Sequence, residues 1–134
     1  MGFHDFYRLS SHAVIFNANN QVLLLKATYA DGAWGLPGGG LDQGETIHQA
    51  LIRECFEELG CDISIQYLSG VYFHSVVNSH AFIFRCQIAE GRTIQLSDEH
   101  SEYGWFDVAE LSAVQRIRVG DCLAFDGQVQ SRAF

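Results

Sequence analysis

The sequence predicts a layered domain of strands and helices, α/β or α+β, and three observations carry that expectation. Short apolar runs rich in β-branched and aromatic residues recur along the chain, one segment has a clear helical stripe, and a glycine cluster separates the two patterns. Of the 134 residues, 48% are hydrophobic, including ten Phe, five Tyr and two Trp. That is enough for a packed core and too much for a disordered chain. Residues 1–134 read as a single domain, since no repeat, low-complexity tract or linker interrupts them.

The elements follow in order. His12 to Phe16 and Gln21 to Ala27 read as two strands joined by the polar turn Asn17-Ala18-Asn19-Asn20. Thr28 to Gly44 reads as an irregular loop with six glycines and the only proline, Pro37. So many glycines mean tight turns and close backbone approach, and such loops often carry function. Thr46 to Leu59 is the strongest helix: Ile47, Leu51, Cys55 and Leu59 recur every fourth position, Thr46 suits an N-cap or the first turn, and Gly60 suits the C-cap. Ile63 to Val77 and Ala81 to Ile88 read as strands around a hairpin turn at Asn78-Ser79, followed by strands at Thr93 to Leu96 and Tyr103 to Phe106. Asp107 and Glu110 have capping-box spacing and open a second helix through about Gln115, beyond which the pattern weakens.

Charge narrows the partners. Sixteen acidic residues face eight basic ones, a net charge of -8, and Lys26 is the only lysine. Such a surface does not bind nucleic-acid backbones by bulk counterion release, nor anionic membranes. A phosphate-bearing small molecule fits if metal ions or a few placed cations bridge it. The start of the chain lacks the basic and apolar regions of a signal peptide, and no apolar run is long enough to span a bilayer. Cys55, Cys61, Cys86 and Cys122 lack zinc-site spacing and suit free thiols, so a cytoplasmic protein is expected.

The chemistry concentrates in Gly39 to Cys61. Glu54, Glu57 and Glu58, at i, i+3 and i+4, share one helical face opposite much of the apolar stripe, with Arg53 placed to pair with Glu57. By itself such a triplet is ordinarily a solvated face. Beside a glycine-rich loop, however, it offers oxygen ligands to a divalent cation and room for a phosphate chain. The joint pattern resembles the Nudix hydrolase family, MutT-like, without a subfamily marker. Gly39, Glu45, Arg53, Glu54, Glu57, Glu58 and Gly60 occupy every fixed-identity position of the family's box, while Cys55 and Cys61 stand at its two aliphatic positions. The Trp34 to Gly40 run resembles the usual lead-in, and Ser97 to Phe106 resembles the acidic loop before a Trp-bearing strand.

This resemblance implies an α/β/α sandwich with a mixed central sheet. It also implies hydrolysis of a diphosphate bond in a nucleoside diphosphate linked to another moiety, by metal-activated water, with Mg²⁺ or Mn²⁺ as cofactor. Glu54 and Glu58 would be the principal metal ligands and Glu57 a ligand or a base, with a carbonyl near Gly38 completing the set. Arg53 would orient the glutamates and Glu45 would fix the loop to the helix. Glu99, or secondarily Glu102, would supply an additional acid, against the alternative of a plain exposed loop. Lys26 and Gly39 would face substrate phosphates. Trp34 and Tyr29 suit either base contact or a hydrophobic lid, while His12, His48, His74 and His80 suit ordinary packing or surface placement. Val76 and Val77 stand where ADP-ribose-type members carry a proline, and the acidic surface disfavours long RNA caps. Nucleoside triphosphates and nucleotide sugars remain as substrates for a monomer or homodimer. The alternative from another class is a non-catalytic nucleotide-binding or regulatory domain, in which loss of a box glutamate would be expected.

Overall fold

The computed structural model describes residues 3–134. The first two apolar runs form β1 (Arg8–Ile15) and β2 (Val22–Ala27). In the turn between them, Asn17 Oδ1 accepts hydrogen bonds from the Asn19 and Gln21 amides at 3.0 Å each, the local bonding that favours asparagine in turns. After one bridge between Phe16 and Val22 the two strands part into different sheets.

The glycine-rich segment is less irregular than its composition suggests. It contains β3 (Trp34–Gly35), paired with β2, and β4 (Gly38–Gly40), paired antiparallel with β1. Neither has strand propensity of its own, so the pairing comes from the neighbouring strands. α1 (Ile47–Leu59) is bounded by a reciprocal capping box. Thr46 Oγ1 accepts from the Gln49 amide at 3.1 Å, and Gln49 Oε1 from the Thr46 amide at 3.0 Å. Gly60 ends it in the left-handed region at φ +68°.

β5 (Ile63–His74) and β6 (Ser79–Ile88) form the expected hairpin, turned by a 3-10 segment at Ser75–Val77. The strand expected at Thr93–Leu96 is absent. Ile94 and Leu96 pack on the core, and the Gln95 amide donates to the Leu59 carbonyl at 2.8 Å, so the segment seals the end of α1 instead of joining a ladder. β7 (His100–Phe106) matches and extends the expected strand. The Asp107–Glu110 capping box forms, but it closes only the 3-10 turn Val108–Glu110. The second helix, α2 (Ala113–Leu123), starts later behind Ser112, whose Oγ accepts from the Gln115 amide, and runs well past the expected end. β8 (Gln130–Ala133) closes the chain as an edge strand parallel to β5.

Five strands in the order β4-β1-β6-β5-β8 make one sheet, with β1–β6 and β5–β8 parallel and the other pairs antiparallel. β3-β2-β7 make a second, antiparallel sheet. Alternation along the strands sends side chains to opposite faces. Ala13, Ile15, Leu23, Leu25 and Phe84 pack with Leu51, Cys55 and Leu59 of α1. Val14, Val22, Leu24 and Ile83 pack with Val119 and Cys122 of α2. The result is an α/β/α sandwich with a mixed sheet, each fully buried aliphatic side chain contributing about 1.5–3 kcal/mol. All four cysteines are buried free thiols. Among the described residues no helix is long and apolar enough to cross a membrane.

Candidate active site

α1 presents its three glutamates to three different environments. Glu57 faces solvent with its side chain 57% exposed, Glu54 is 19% exposed, and Glu58 is buried. The expectation that all three lie opposite the apolar stripe fails for Glu58. It follows Leu51 by seven residues, close to two full turns, and therefore shares the buried face.

Two consecutive glycines hold the inner pair. The Gly38 amide donates to both carboxylate oxygens of Glu58, at 3.2 Å each. The Glu54 carboxylate lies directly over Gly39: a Cβ there would sit 2.7 Å from Glu54 Cδ. Burial pushes the Glu58 carboxyl up to about 8, with Glu54, Glu99 and Glu57 adding to the rise and the Gly38 amide opposing it. Glu54 is raised too, first by burial, against the pull of Arg53.

Arg53 organises the surrounding acids. Its Nε and Nη2 bind the two Glu45 oxygens at 2.6 and 2.9 Å, a bidentate fork. Nη1 reaches Glu54 at 3.1 Å and Glu57 at 3.3 Å, and Nη2 also donates to the Gly40 carbonyl at 3.1 Å. Glu45 in turn accepts from the Asp42 amide at 2.8 Å, tying the loop to the helix, and the Arg53 hydrogen bond holds its carboxyl below the ordinary range. The expected Arg53–Glu57 pair is thus one of the longer contacts of a larger network, which also brings Nε within 3.4 Å of Asp42. Arg53→Lys keeps the charge but cannot reproduce the planar fork. It is expected to lower turnover about 10–100-fold with little loss of folding, as for other residues that orient ligands; steady-state kinetics and thermal denaturation check it.

Glu58, Gly38 and Gly39 border a cavity of about 290 Å³. Tyr29, Trp34, Leu36, His12 and His100 are among its other lining residues, and Trp34 is braced edge-on by Phe106 at 5.0 Å. Tyr29 is exposed, and its hydroxyl is raised first by partial burial and then by Glu58, Glu99 and Glu54. Glu99 is brought near by Thr28, whose amide and hydroxyl donate to the Glu99 carbonyl at 2.9 and 3.1 Å. Its charge acts on both Glu54 and Glu58. Glu102 instead lies across the ladder from Lys26. Lys26 is not part of the cavity wall. Its neighbours Leu25 and Ala27 line it, while the Lys26 side chain reaches the Gly32 turn.

His12, expected from the sequence to be ordinary packing, lines the cavity, and His100 and Arg118 carry no expectation of a role from the sequence. An arginine beside Val119 on the α2 stripe is the signal that marks one of them. A larger cleft, about 730 Å³, lies beyond β4 among Tyr7, Leu9, Leu41 and Val77. Of the box acids only Glu45 touches it, as only Glu58 touches the smaller cavity.

Among the described residues no group of three His, Cys, Asp or Glu side chains is drawn close enough to hold a metal. Arg53 engages Glu54 and Glu57, while Gly38 engages Glu58. The donor set still fits a hard divalent cation. Carboxylate oxygens are its preferred ligands, and a cation would relieve the burial and mutual repulsion that raise Glu54 and Glu58.

A NUDIX domain model matches residues 6–121, and the chain belongs to the Nudix family, hydrolases acting on phosphoric anhydrides. It is 30% identical to a MutT-like protein of Streptomyces ambofaciens over 87% of this chain and 77% of that protein. It is 41% identical to an RNA pyrophosphohydrolase of Actinobacillus succinogenes, over 51% of this chain and only 36% of that protein. The crystal structure of an ADP-ribose pyrophosphatase from Streptococcus suis superposes with a TM-score of 0.77, covering 96% of this chain and 100% of that one. At 22% identity this last likeness shows the fold alone.

Proposed function

We propose that the protein hydrolyses the diphosphate bond of a small nucleotide, an NTP, dNTP or nucleotide sugar, with Mg²⁺ or Mn²⁺ held by Glu54 and Glu58 and assisted by Glu57. The observation that carries this reading is the pair of carboxylates, Glu54 and Glu58, held side by side over Gly39 and Gly38 at the rim of an aromatic-lined cavity. The cation supplies neutralisation of the phosphoryl oxygens and a lowered pKa for attacking water. Glu57, the most solvent-accessible of the three, is placed to take the proton of that water; Glu99 is the second carboxylate within electrostatic range of Glu58. Water adds to one phosphorus as the bridging P–O bond breaks in line, and the released phosphate carries the bond's electrons. Arg53 keeps Glu45, Glu54 and Glu57 oriented throughout. Trp34 and Tyr29 form the wall for the non-reacting moiety.

The test is product release from NTPs, dNTPs, 8-oxo-dGTP, ADP-ribose, GDP-mannose, NADH and dinucleoside polyphosphates, with Mg²⁺, Mn²⁺ or EDTA. One preferred, cation-dependent hydrolysis is expected. Silence across the panel, with ligand-induced thermal shifts intact, overturns the enzymatic reading in favour of a binding domain.

A further inference from the structure

Five exposed large apolar side chains gather at one end of the five-stranded sheet, where the start of β1 lies beside the turn between β5 and β6. Tyr7, Leu9 and Val77 line the cleft of about 730 Å³. Val76, 96% exposed, belongs to the same 3-10 segment as Val77. Phe6 is tied to that turn through Asn78, whose Nδ2 donates to the Phe6 carbonyl at 2.7 Å. Tyr7 is fixed edge-on against Phe73 and His80, with ring centroids 6.2 and 5.2 Å apart, so β5 and β6 hold it in place while half of it stays in solvent. Gathered exposed apolar side chains mark an interaction site. Phe6 and Val76 lie outside the cleft lining, so the apolar surface is broader than a small molecule filling the cleft would cover.

The cleft also carries two charges that nothing in the chain matches well. Arg8 comes from β1 and Asp42 from the loop after β4, each two residues beyond the Ser10–Gly40 pair of the ladder. Among the described residues Arg8 has no acid within ion-pair distance. The Asp42 side chain is 72% exposed, and its one ionic contact is the 3.4 Å approach to Arg53 Nε. That guanidinium is already engaged by both oxygens of Glu45, the other acid of the lining. One base and one acid are thus left over in the same cleft. A net charge of -8 holds copies of this chain apart over most of their surface, but it does not oppose approach here.

We propose that this end of the sheet is the interface of a homodimer, two copies meeting about a two-fold axis with Arg8 of each against Asp42 of the other and Tyr7 buried between them. A two-fold interface uses the same patch on both copies, so the patch has to complement itself. Apolar surface does so on any axis. Charge does so only when both signs are present, each copy then offering its base to the other's acid. A partner of different sequence would require no such combination within one patch.

Sedimentation velocity of the full chain over a series of concentrations tests this. A particle of twice the chain mass that dissociates on dilution is expected. Tyr7→Asp is expected to raise the dissociation constant about 30-fold or more, as for a buried aromatic anchor. Arg8→Asp and Asp42→Arg, both at exposed positions, are each expected to run as monomers where the unmodified protein is dimeric, because each sets like charges together across the axis. An equimolar mixture of those two variants is expected to regain the dimer, since every contact then joins opposite charges. Circular dichroism and melting temperature establish that each variant is folded. A monomer at the highest concentration reached overturns the proposal; nucleotide-dependent shifts of the Leu9, Leu41 and Val77 methyl signals would then give the cleft to a small ligand. A dimer that survives all three substitutions lies on another surface and overturns it as well. So does a mixture that fails to recover, which marks the losses in the single variants as structural.

Discussion

Glu58→Gln is expected to lower hydrolysis on the order of 10³-fold while making the metal-free protein more stable at pH 8. The two effects have one cause. Burial keeps the proton on Glu58 up to about pH 8, against 4.5 for an ordinary glutamate such as that of the unfolded chain. Between those values the folded state binds more protons than the unfolded one, so stability falls as pH rises from about 4.5 through about 8. The contribution is fully present below the lower value and lost above the upper one. At most it amounts to a few kcal/mol. Glutamine is neutral at every pH and can still accept the Gly38 hydrogen bond, so the slope that Glu58 imposes disappears. Mg²⁺ should restore the stability of the unmodified protein at pH 8, and the variant should gain much less. Thermal denaturation at pH 5, 6.5 and 8, with EDTA or Mg²⁺, reads all of this alongside turnover. Parallel pH profiles, or unaltered turnover, would remove Glu58 from the centre of the site.

The second large effect separates two adjacent glycines. Gly38 has φ +137°, and a Cβ there would lie 2.1 Å from the Ser11 carbonyl oxygen and 2.7 Å from His12 Cα. Those are backbone atoms of β1, fixed by the ladder to β6, and they cannot move aside. Gly38→Ala is expected to cost more than about 4 kcal/mol or to prevent folding. Gly39 lies outside the left-handed region, and the three atoms nearest a Cβ there all belong to the carboxylate of Glu54, at 2.7 to 2.9 Å. A side-chain end can swing away. Gly39→Ala should therefore fold, within about 1 kcal/mol of the unmodified protein, and yet lose activity because Glu54 is displaced. Circular dichroism, melting temperature and turnover distinguish the outcomes. A well-folded Gly38→Ala, or a fully active Gly39→Ala, would contradict this division of roles.

The legible parts of the sequence share one property: their signals are short-range. The stripe of Leu51, Cys55 and Leu59, the Thr46 cap and the Gly60 stop all act within a few turns of α1, and all appear where expected. The β5–β6 hairpin is equally local. Expectations failed where the partner is distant in the chain. Gly38–Gly40 is a strand only because β1 lies beside it, and Thr93–Leu96 is not one because its bonding goes to the end of α1. The Asp107–Glu110 box formed as its spacing required, but no local rule says whether the turn it closes continues into a helix.

The sequence by itself determined the family, through seven residues at set spacings, and with it the sandwich and the acids of the box. Spacing along one helix is a local quantity, and a helix converts it directly into a shared face. Only the tertiary structure decided how the acids differ. Glu58 is buried on Gly38, Glu54 lies over Gly39, and Glu57 stays in water. It alone left Lys26 out of the cavity lining and buried Arg118 against His74 with no acid in ion-pair distance among the described residues. Burial and charge pairing depend on which surfaces meet, and residues far apart in the chain fix those surfaces.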